Sequence, residues 1–361
     1  MPVPFIKDKK ILGVDIGSQA IKIVELAQAK NGKWQLLRYA YEPIGVGEVS
    51  PEERKLAVTD KLKEIIRREK FSAKKVATSV SGNQVIVRYV KFPKLSYEEL
   101  AKTIHFEAEA YIPFDIREVT LGFHILGDII EEGQKKMETV LVAVKKEIIQ
   151  NRIEILEKAE LEPAVIDVDA FALENALDIA RKPEVKETLV VVNIGASVAN
   201  LTIIEDGISK VVRDIFIAGN TFTKAIQQGL NTDPAAAEEL KRKYGLTLEE
   251  VDQPPEALEV SKILIPIVND LLKEIQHSVD YYQTQLPEEL PVNRVILTGG
   301  TAHMPNLGKY FAHELQLPVE IYNPFTPLVV STHLPKEINE KVSTFTIAVG
   351  LATRKEGDSP K

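Results

Sequence analysis

Two short stretches of this chain have the residue types and spacing to hold a phosphate. Val14-Asp15-Ile16-Gly17-Ser18 and Val192-Asn193-Ile194-Gly195-Ala196 each end an apolar run in a polar side chain, an isoleucine and a glycine. Each lies between β-rich runs and so reads as strand, tight glycine turn, strand. Gly17 is free to take the φ values that such a turn uses, leaving backbone N–H groups outward to cradle an anion. Asp15 would then face a metal ion bound to that anion. For one hairpin alone, a buried or capping aspartate is the simpler reading. The repeat shifts the balance, because Asn31-Gly32 after the first hairpin is also echoed by Asp206-Gly207 after the second. Two similar halves, each offering one phosphate turn across a cleft, explain both hairpins.

Two further features could grip the rest of a nucleotide. Asp233-Pro234 opens a helix that Gly245 ends, and on it Glu238 and Lys241 share one face, with Arg242 beside them. A solvated, salt-bridged face fits these residues as well as a binding role does. Val292 to Thr298 is a buried strand closed by Gly299-Gly300-Thr301, where bare backbone lets a flat ring or ribose pack closely. The six histidines show no metal-ligand spacing.

The elements that must position these residues can be placed in order. Trp34 to Tyr41 is a third strand. Ser50-Pro51 with Glu53 is a capping box opening a helix to about Lys70, with Leu56, Leu62, Ile65 and Ile66 on its buried side. Lys75 to Val80 is a strand. From about Gln84 to Leu161 the chain reads as an inserted α+β unit. Its parts are a strand from Val85 to Val90, a helix capped by Ser96 that stops near Tyr111 ahead of Pro113, and strands Thr120–Leu126 and Thr139–Val144. A helix from Lys146 to Glu160 closes it. Ala164 to Val168 is a strand, and Asp169 caps a helix running to about Ala180. A long helical stretch from Leu258 to Gln285 carries a potential break at Pro266. Asn306 starts a helix bearing Leu307, Phe311 and Leu315. The last helix, about Ser343 to Thr353, leads into a polar tail from Arg354 that is expected to be disordered.

Composition narrows the function. A chain of 361 residues exceeds what one core usually supports, so at least two domains are expected. A net charge of −8 argues against general nucleic-acid binding, and the absence of cysteine excludes disulfides, thiolate zinc sites and cysteine nucleophiles. Residues 1–10 lack the apolar core of a signal peptide, and no apolar run is long enough to span a bilayer, so a cytoplasmic protein is expected.

The four elements in order (D-x-G-S hairpin, second hairpin, A-E-x-x-K helix, strand ending in Gly-Gly) resemble the actin-like ATPase superfamily over essentially the whole chain. Asp15 to Lys22 carries actin's D-x-G-S-x-x-x-K spacing, Glu238, Lys241 and Arg242 match the E-x-x-K-R set of the heat-shock chaperones in that group, and Gly299-Gly300 matches their adenosine loop. Lys158 to Asp169 aligns with the chaperones' connecting segment, placing Asp169 where they carry a catalytic glutamate. The extra module after the first helix and its following strand, the pattern Glu107 to Phe114, and Lys22 are similar to the PilM family of type IV pilus assembly, relatives of the division protein FtsA.

The resemblance implies an α/β fold of the actin-like ATPase type, with two ribonuclease H-like halves around a nucleotide cleft and an FtsA/PilM-type inserted subdomain. The implied division is 1–83 with 162–185 and the helix 343–354 (subdomain 1A), 84–161 (1C), 186–217 with 286–342 (2A), and 218–285 (2B). It implies ATP and Mg²⁺, with Asp15 toward the metal and Asp169 as a candidate catalytic group. The implied nucleotide contacts are Asp15, Gly17, Ser18, Gln19 and Lys22, Asn193, Gly195, Ala196 and Ser197, Gly219 and Asn220, Glu238, Lys241 and Arg242, and Gly299, Gly300 and Thr301. Asn193 departs from the aspartate usual in active members, and Asp169 is shorter than glutamate, so weak or absent hydrolysis is expected. The implied partners are the cytoplasmic N-terminal peptide of the inner-membrane protein PilN and other pilus assembly proteins, with membrane association only through a partner. Ile112 and Phe114 are candidates for the peptide groove, and a buried structural turn explains them equally well. The rival readings are an FtsA-like filament protein, which would carry a terminal amphipathic membrane helix, and a sugar or acetate kinase, which would need a large substrate lobe.

Overall fold

The structure is a computed structural model describing residues 11–29, 31–45, 47, 49–248, 253–285, 291–330 and 336–358. The sequence reading of residues 1–10, and of the tail at 359–361, falls outside the described residues.

Both halves are built from the same strand pattern. Strands β1 (Leu12–Ile16), β2 (Ala20–Gln28) and β3 (Trp34–Pro43) run antiparallel in hairpin order, joined by the first glycine turn and by Asn31-Gly32. Helix α1 (Pro51–Glu69) follows, its Ser50–Glu53 capping box formed in both directions, and returns the chain to β4 (Lys75–Val80), parallel to β1. The inserted module then takes β5 (Val85–Pro93), α2 (Tyr97–Ala108), β6 (Val119–Glu131) and β7 (Gln134–Lys145) into a separate antiparallel sheet ordered β5-β7-β6. Helix α3 (Lys146–Lys158), β8 (Glu162–Val168) and α4 (Asp169–Asp178) come back to the first half.

The second half repeats the scheme with β9 (Thr188–Ile194), β10 (Ala199–Glu205) and β11 (Ile208–Ile215), then α5 (Gly219–Leu230), α6 (Pro234–Tyr244) and α7 (Pro255–Thr284). Strand β12 (Arg294–Thr298), α8 (Leu307–Leu315) and β13 (Val319–Ile321) complete its sheet. β14 (Val329–Val330), α9 (Lys336–Asn339) and α10 (Thr346–Ala352) end the described fold. The two larger sheets are ordered β14-β3-β2-β1-β4-β8 and β11-β10-β9-β12-β13. In each, the first strand of the hairpin is flanked by its antiparallel partner on one side and a parallel strand on the other. Strand β9 is buried at every position, as expected for a strand covered on both faces by helices.

Several local expectations give way to packing. Leu56 is 59% exposed, and the buried face of α1 is instead Val58, Thr59, Leu62 and Ile65, one helical step around. Helix α7 runs unbroken through Pro266, because a face from Val260 through Leu264, Val268 and Leu271 to Ile275 stays in the second-half core on both sides of it. Helix α3 does not close the inserted module: Leu156, Ala159 and Leu161 pack with Leu62 and Ile65 in the first-half core. The segment around Phe325, Leu328 and β14, expected with the second half, joins the first sheet beside β3 and packs on Val24 and Leu26. Asp169 does not cap α4; it is the first helical residue, and Val168 is the cap. The tail begins in order, since Arg354 is buried and pairs with Asp167 at 3.5 Å.

Candidate functional site

The β1–β2 register sets Asp15 opposite Lys22, and their side chains pair at 2.7 Å with little exposure. The turn between them is closed by the Gly17 amide donating to Ala20 O at 3.1 Å. Gly17 is not in the left-handed region. A Cβ there would stand 2.7 Å from Lys22 Nζ and 3.1 Å from Ala20 O, so it would press on the Asp15–Lys22 pair. From the start of α1, Arg54 Nη2 donates to Gly17 O at 2.9 Å and so fixes the turn's carbonyl. The second hairpin has the same construction: the Gly195 amide donates to Val198 O at 3.0 Å, and a Cβ on Gly195 would lie 2.8 Å from that oxygen. Here the register pairs Asn193 with Asn200, and Asn193 Nδ2 donates to Asn200 Oδ1 at 2.8 Å. Asn200 in turn donates to Asp214 Oδ1 at 2.8 Å.

The N-terminus of α5 docks on the second hairpin. Gly219 and Asn220 amides donate to Gly195 O and Ala196 O, and Thr301 Oγ1 donates to Gly195 O at 2.8 Å. Asn220 Nδ2 donates to Ser197 Oγ at 3.1 Å, and Gln19 Nε2 donates to Asn220 Oδ1 at 3.4 Å. Through Asn220 the two hairpins meet. Ser18 lies in the first turn and Ala196 and Ser197 in the second, so the Gln19–Asn220–Ser197 chain makes the two backbone arcs neighbours.

The helix pair α5–α6 stiffens this end. Lys241 is buried, and its Nζ donates to Gly219 O (3.1 Å), Thr223 Oγ1 (2.8 Å) and Glu238 Oε2 (2.5 Å). Burial lowers the lysine's pKa. Burial also pushes Glu238 upward, but the adjacent Lys241 ammonium and its hydrogen bond outweigh that and hold the carboxyl below its usual range. The Glu238–Lys241 face is therefore an internal strut rather than a solvated one, while Arg242 remains largely exposed and donates to Glu238 Oε1 at 2.8 Å. Gly299 does need its glycine: its φ is +86°, and a Cβ would lie 2.5 Å from Ile194 O. At Gly300 a Cβ would only make ordinary contact with Thr344 Cγ2, at 3.6 Å.

Asp169 accepts from Ser79 Oγ at 2.5 Å. Burial, reinforced by the negative charge of Asp15, pushes its pKa up to about 6. Reading by motif misses Arg54, Thr223, Asn200 and Asp214. Asn200 is recoverable from the hairpin alone, since closing the turn at Gly195–Val198 puts it opposite Asn193.

A second concavity, about 230 Å³, lies between β6 of the inserted module, α4 and the β10–β11 turn. His124, Leu126, Glu174, Asn175, Arg181 and Ile208 line it. Asn175 Nδ2 is buried there without a hydrogen-bond partner. Burial lowers the His124 pKa. Ile112 and Phe114 do not line this concavity. Ile112 is 5% exposed in the module's own core and offers no surface; Phe114 packs on that core with Lys145 Nζ 5.2 Å from its ring centre.

Two repeated sheets, each presenting a glycine hairpin at a shared cleft, define the actin-like ATPase fold. MreB 5 of Spiroplasma citri, solved bound to AMPPNP, shares it with TM-score 0.56 at 14% identity, covering 96% of this chain and 95% of that one. The ethanolamine utilization protein EutJ from Carboxydothermus hydrogenoformans does so with TM-score 0.55 at 13% identity, over 98% and 90%. Within that class, the model of the family "Type IV pilus assembly protein PilM" matches residues 13–356, and the chain belongs to that family. A solved PilM-PilN type IV pilus biogenesis complex is similar with TM-score 0.80 and 27% identity, covering 97% of this chain and 98% of that one. Cell division protein FtsA of Neisseria meningitidis serogroup B is 25% identical over 235 residues, 59% of this chain and 54% of that protein. FtsA of Staphylococcus epidermidis is 22% identical over 240 residues, 62% and 49%. The matched part spans about half the length of these curated relatives.

Proposed function

We propose that this chain is an ATP-binding, actin-like component of type IV pilus assembly that takes the cytoplasmic N-terminal peptide of PilN. The observation that carries the nucleotide reading is the Gln19–Asn220–Ser197 bridge, which brings two glycine turns of the same construction to one cleft. In this reading the phosphates lie between Asp15–Gln19 and Asn193–Ser197, with the Asp15-paired Lys22 supplying positive charge beside them. The adenosine lies beside Glu238, Lys241, Arg242 and the Gly299–Thr301 turn. Among the described residues no group of three acidic or histidine side chains could cage a metal. Mg²⁺ would therefore be held by phosphate and water, with Asp15 reaching it mostly through water.

Hydrolysis is slow in this reading. Asp169, near pKa 6, has the proton affinity of a general base, but Asn193 supplies no charge to orient metal and water. The likeness to the PilM-PilN complex supports PilN as the partner, and the concavity at β6 and α4 is the groove we assign to its peptide. Among the described residues no helix is long and apolar enough to cross a membrane, which fits attachment to the inner membrane through a partner.

The test is calorimetry with MgATP together with fluorescence anisotropy of a labelled PilN N-terminal peptide. Saturable binding of both is expected, with Leu126→Glu weakening the peptide alone. Absence of ATP binding overturns the nucleotide reading, and peptide affinity unchanged in Leu126→Glu removes the assigned groove.

A further inference from the structure

Among the described residues three cations lie about the first hairpin, and two of them have partners. Lys22 pairs with Asp15, and Arg54 donates to Gly17 O. The third is Arg152, on α3. That helix is held against α1 by Leu156, and Lys55 Nζ pins its register by donating to Asn151 Oδ1 at 3.0 Å and to Glu154 Oε2 at 2.6 Å, on either side of Arg152. Arg152 is half-buried and lies in the fields of Asp15, Asp169 and Arg54. Among the described residues its guanidinium has no hydrogen-bond or ion-pair partner.

An arginine drawn partly out of water and left unpaired is costly to the fold, and a structural role would have given it a carboxylate within reach. Asp15 is taken by Lys22, and Asp169 by Ser79. The group that satisfies a planar guanidinium in the field of Asp15 and Arg54 at a phosphate turn is a phosphate oxygen pair, bound bidentately. The β- and α-phosphates are supplied with backbone N–H groups by the two turns. Arg152 belongs to neither turn, being carried by α3.

We propose that Arg152 grips the terminal phosphate of a nucleotide bound in the cleft and so makes the protein distinguish a triphosphate from a diphosphate. The proposal rests on the nucleotide reading above.

Calorimetric titration of the full chain with MgATP and MgADP tests it, comparing wild type, Arg152→Gln and Arg152→Lys, with melting temperatures measured alongside. Arg152→Gln is expected to weaken ATP at least tenfold and ADP less than twofold, and Arg152→Lys to recover part of the ATP loss. An ATP-to-ADP affinity ratio equal to that of wild type in both variants overturns the proposal. So does an equal loss for both nucleotides with a lowered melting temperature, which marks a merely structural arginine. Wild type that binds neither nucleotide instead refutes the cleft reading itself.

Discussion

The Gly82 amide donates to Asp214 Oδ2 at 2.5 Å, joining the turn that leads into the inserted module to the edge strand of the second sheet. The other oxygen of that carboxylate ends the Asn193–Asn200 chain. One half-buried acid thus ties the second glycine hairpin to the seam between the halves. Asp214→Ala strands both donors, and is expected to cost about 2–4 kcal/mol on the scale of one to three per buried unsatisfied group. Asp214→Asn keeps one acceptor and should cost less. Urea denaturation of the two variants checks the order.

Asn193 is fixed by the same chain. An aspartate there would set a carboxylate against Asn200 Oδ1, and turning Asn200 to answer it would withdraw the donor from Asp214. Asn193→Asp is expected to destabilise the free protein by about 1–3 kcal/mol, the loss of a buried donor. Denaturation without nucleotide reads this; an unchanged midpoint would show that the amide chain carries no weight.

Lys22→Ala removes the partner of Asp15 and the cation of the first turn. ATP affinity should fall by roughly 2 kcal/mol or more, the scale for truncating one member of a desolvated charge pair. Calorimetry measures it, and an unchanged affinity would take Lys22 out of the site.

Asp169 gives a pH signature. Its folded pKa, about 6, lies above the ordinary carboxyl value of 3.8, so folding favours the protonated form. Its contribution to stability is fully present below about pH 4 and is lost as pH rises through 6. The shift alone corresponds to about 3 kcal/mol, and the partial exposure of Asp169 reduces the expectation to about 2. Asp169→Asn should therefore raise the melting temperature at pH 7 but not at pH 4. A pH-independent difference would contradict the assigned shift.

Gly299→Ala forces a side chain into a left-handed turn and against Ile194 O. A loss of about 1–3 kcal/mol is expected, the usual cost of such backbone strain, readable by thermal melting. Gly300→Ala puts its Cβ in ordinary contact with Thr344 Cγ2, at 3.6 Å, and should be near neutral.

What was legible in the sequence was what local chemistry fixes. Both serine capping boxes, the Asp233-Pro234 helix start and the twin hairpins form as the residues dictate. Long-range packing was not legible. Leu56 satisfies helical spacing as well as Val58 does, and only the arrival of α3 on α1 decides which is covered. Ile112 and Phe114 drew attention as an apolar pair beside a proline, yet the module's core takes up Ile112. Arg152 belongs to no motif; its setting exists only once α3, β1 and α4 come together.

The first sheet contains Gly13, where any Cβ would collide with Ala348 O of α10, and its outer edge is filled by β14. Those partners lie 335 positions (Gly13 to Ala348) and 294 positions (Gln35 to Val329) along the chain, a closure whose entropic cost must be met before the contacts form. The second sheet draws all its strands from one continuous stretch, Thr188 to Ile321. During synthesis the half made later is thus expected to be complete first, while the half made earlier waits with an uncovered face for α10 to emerge.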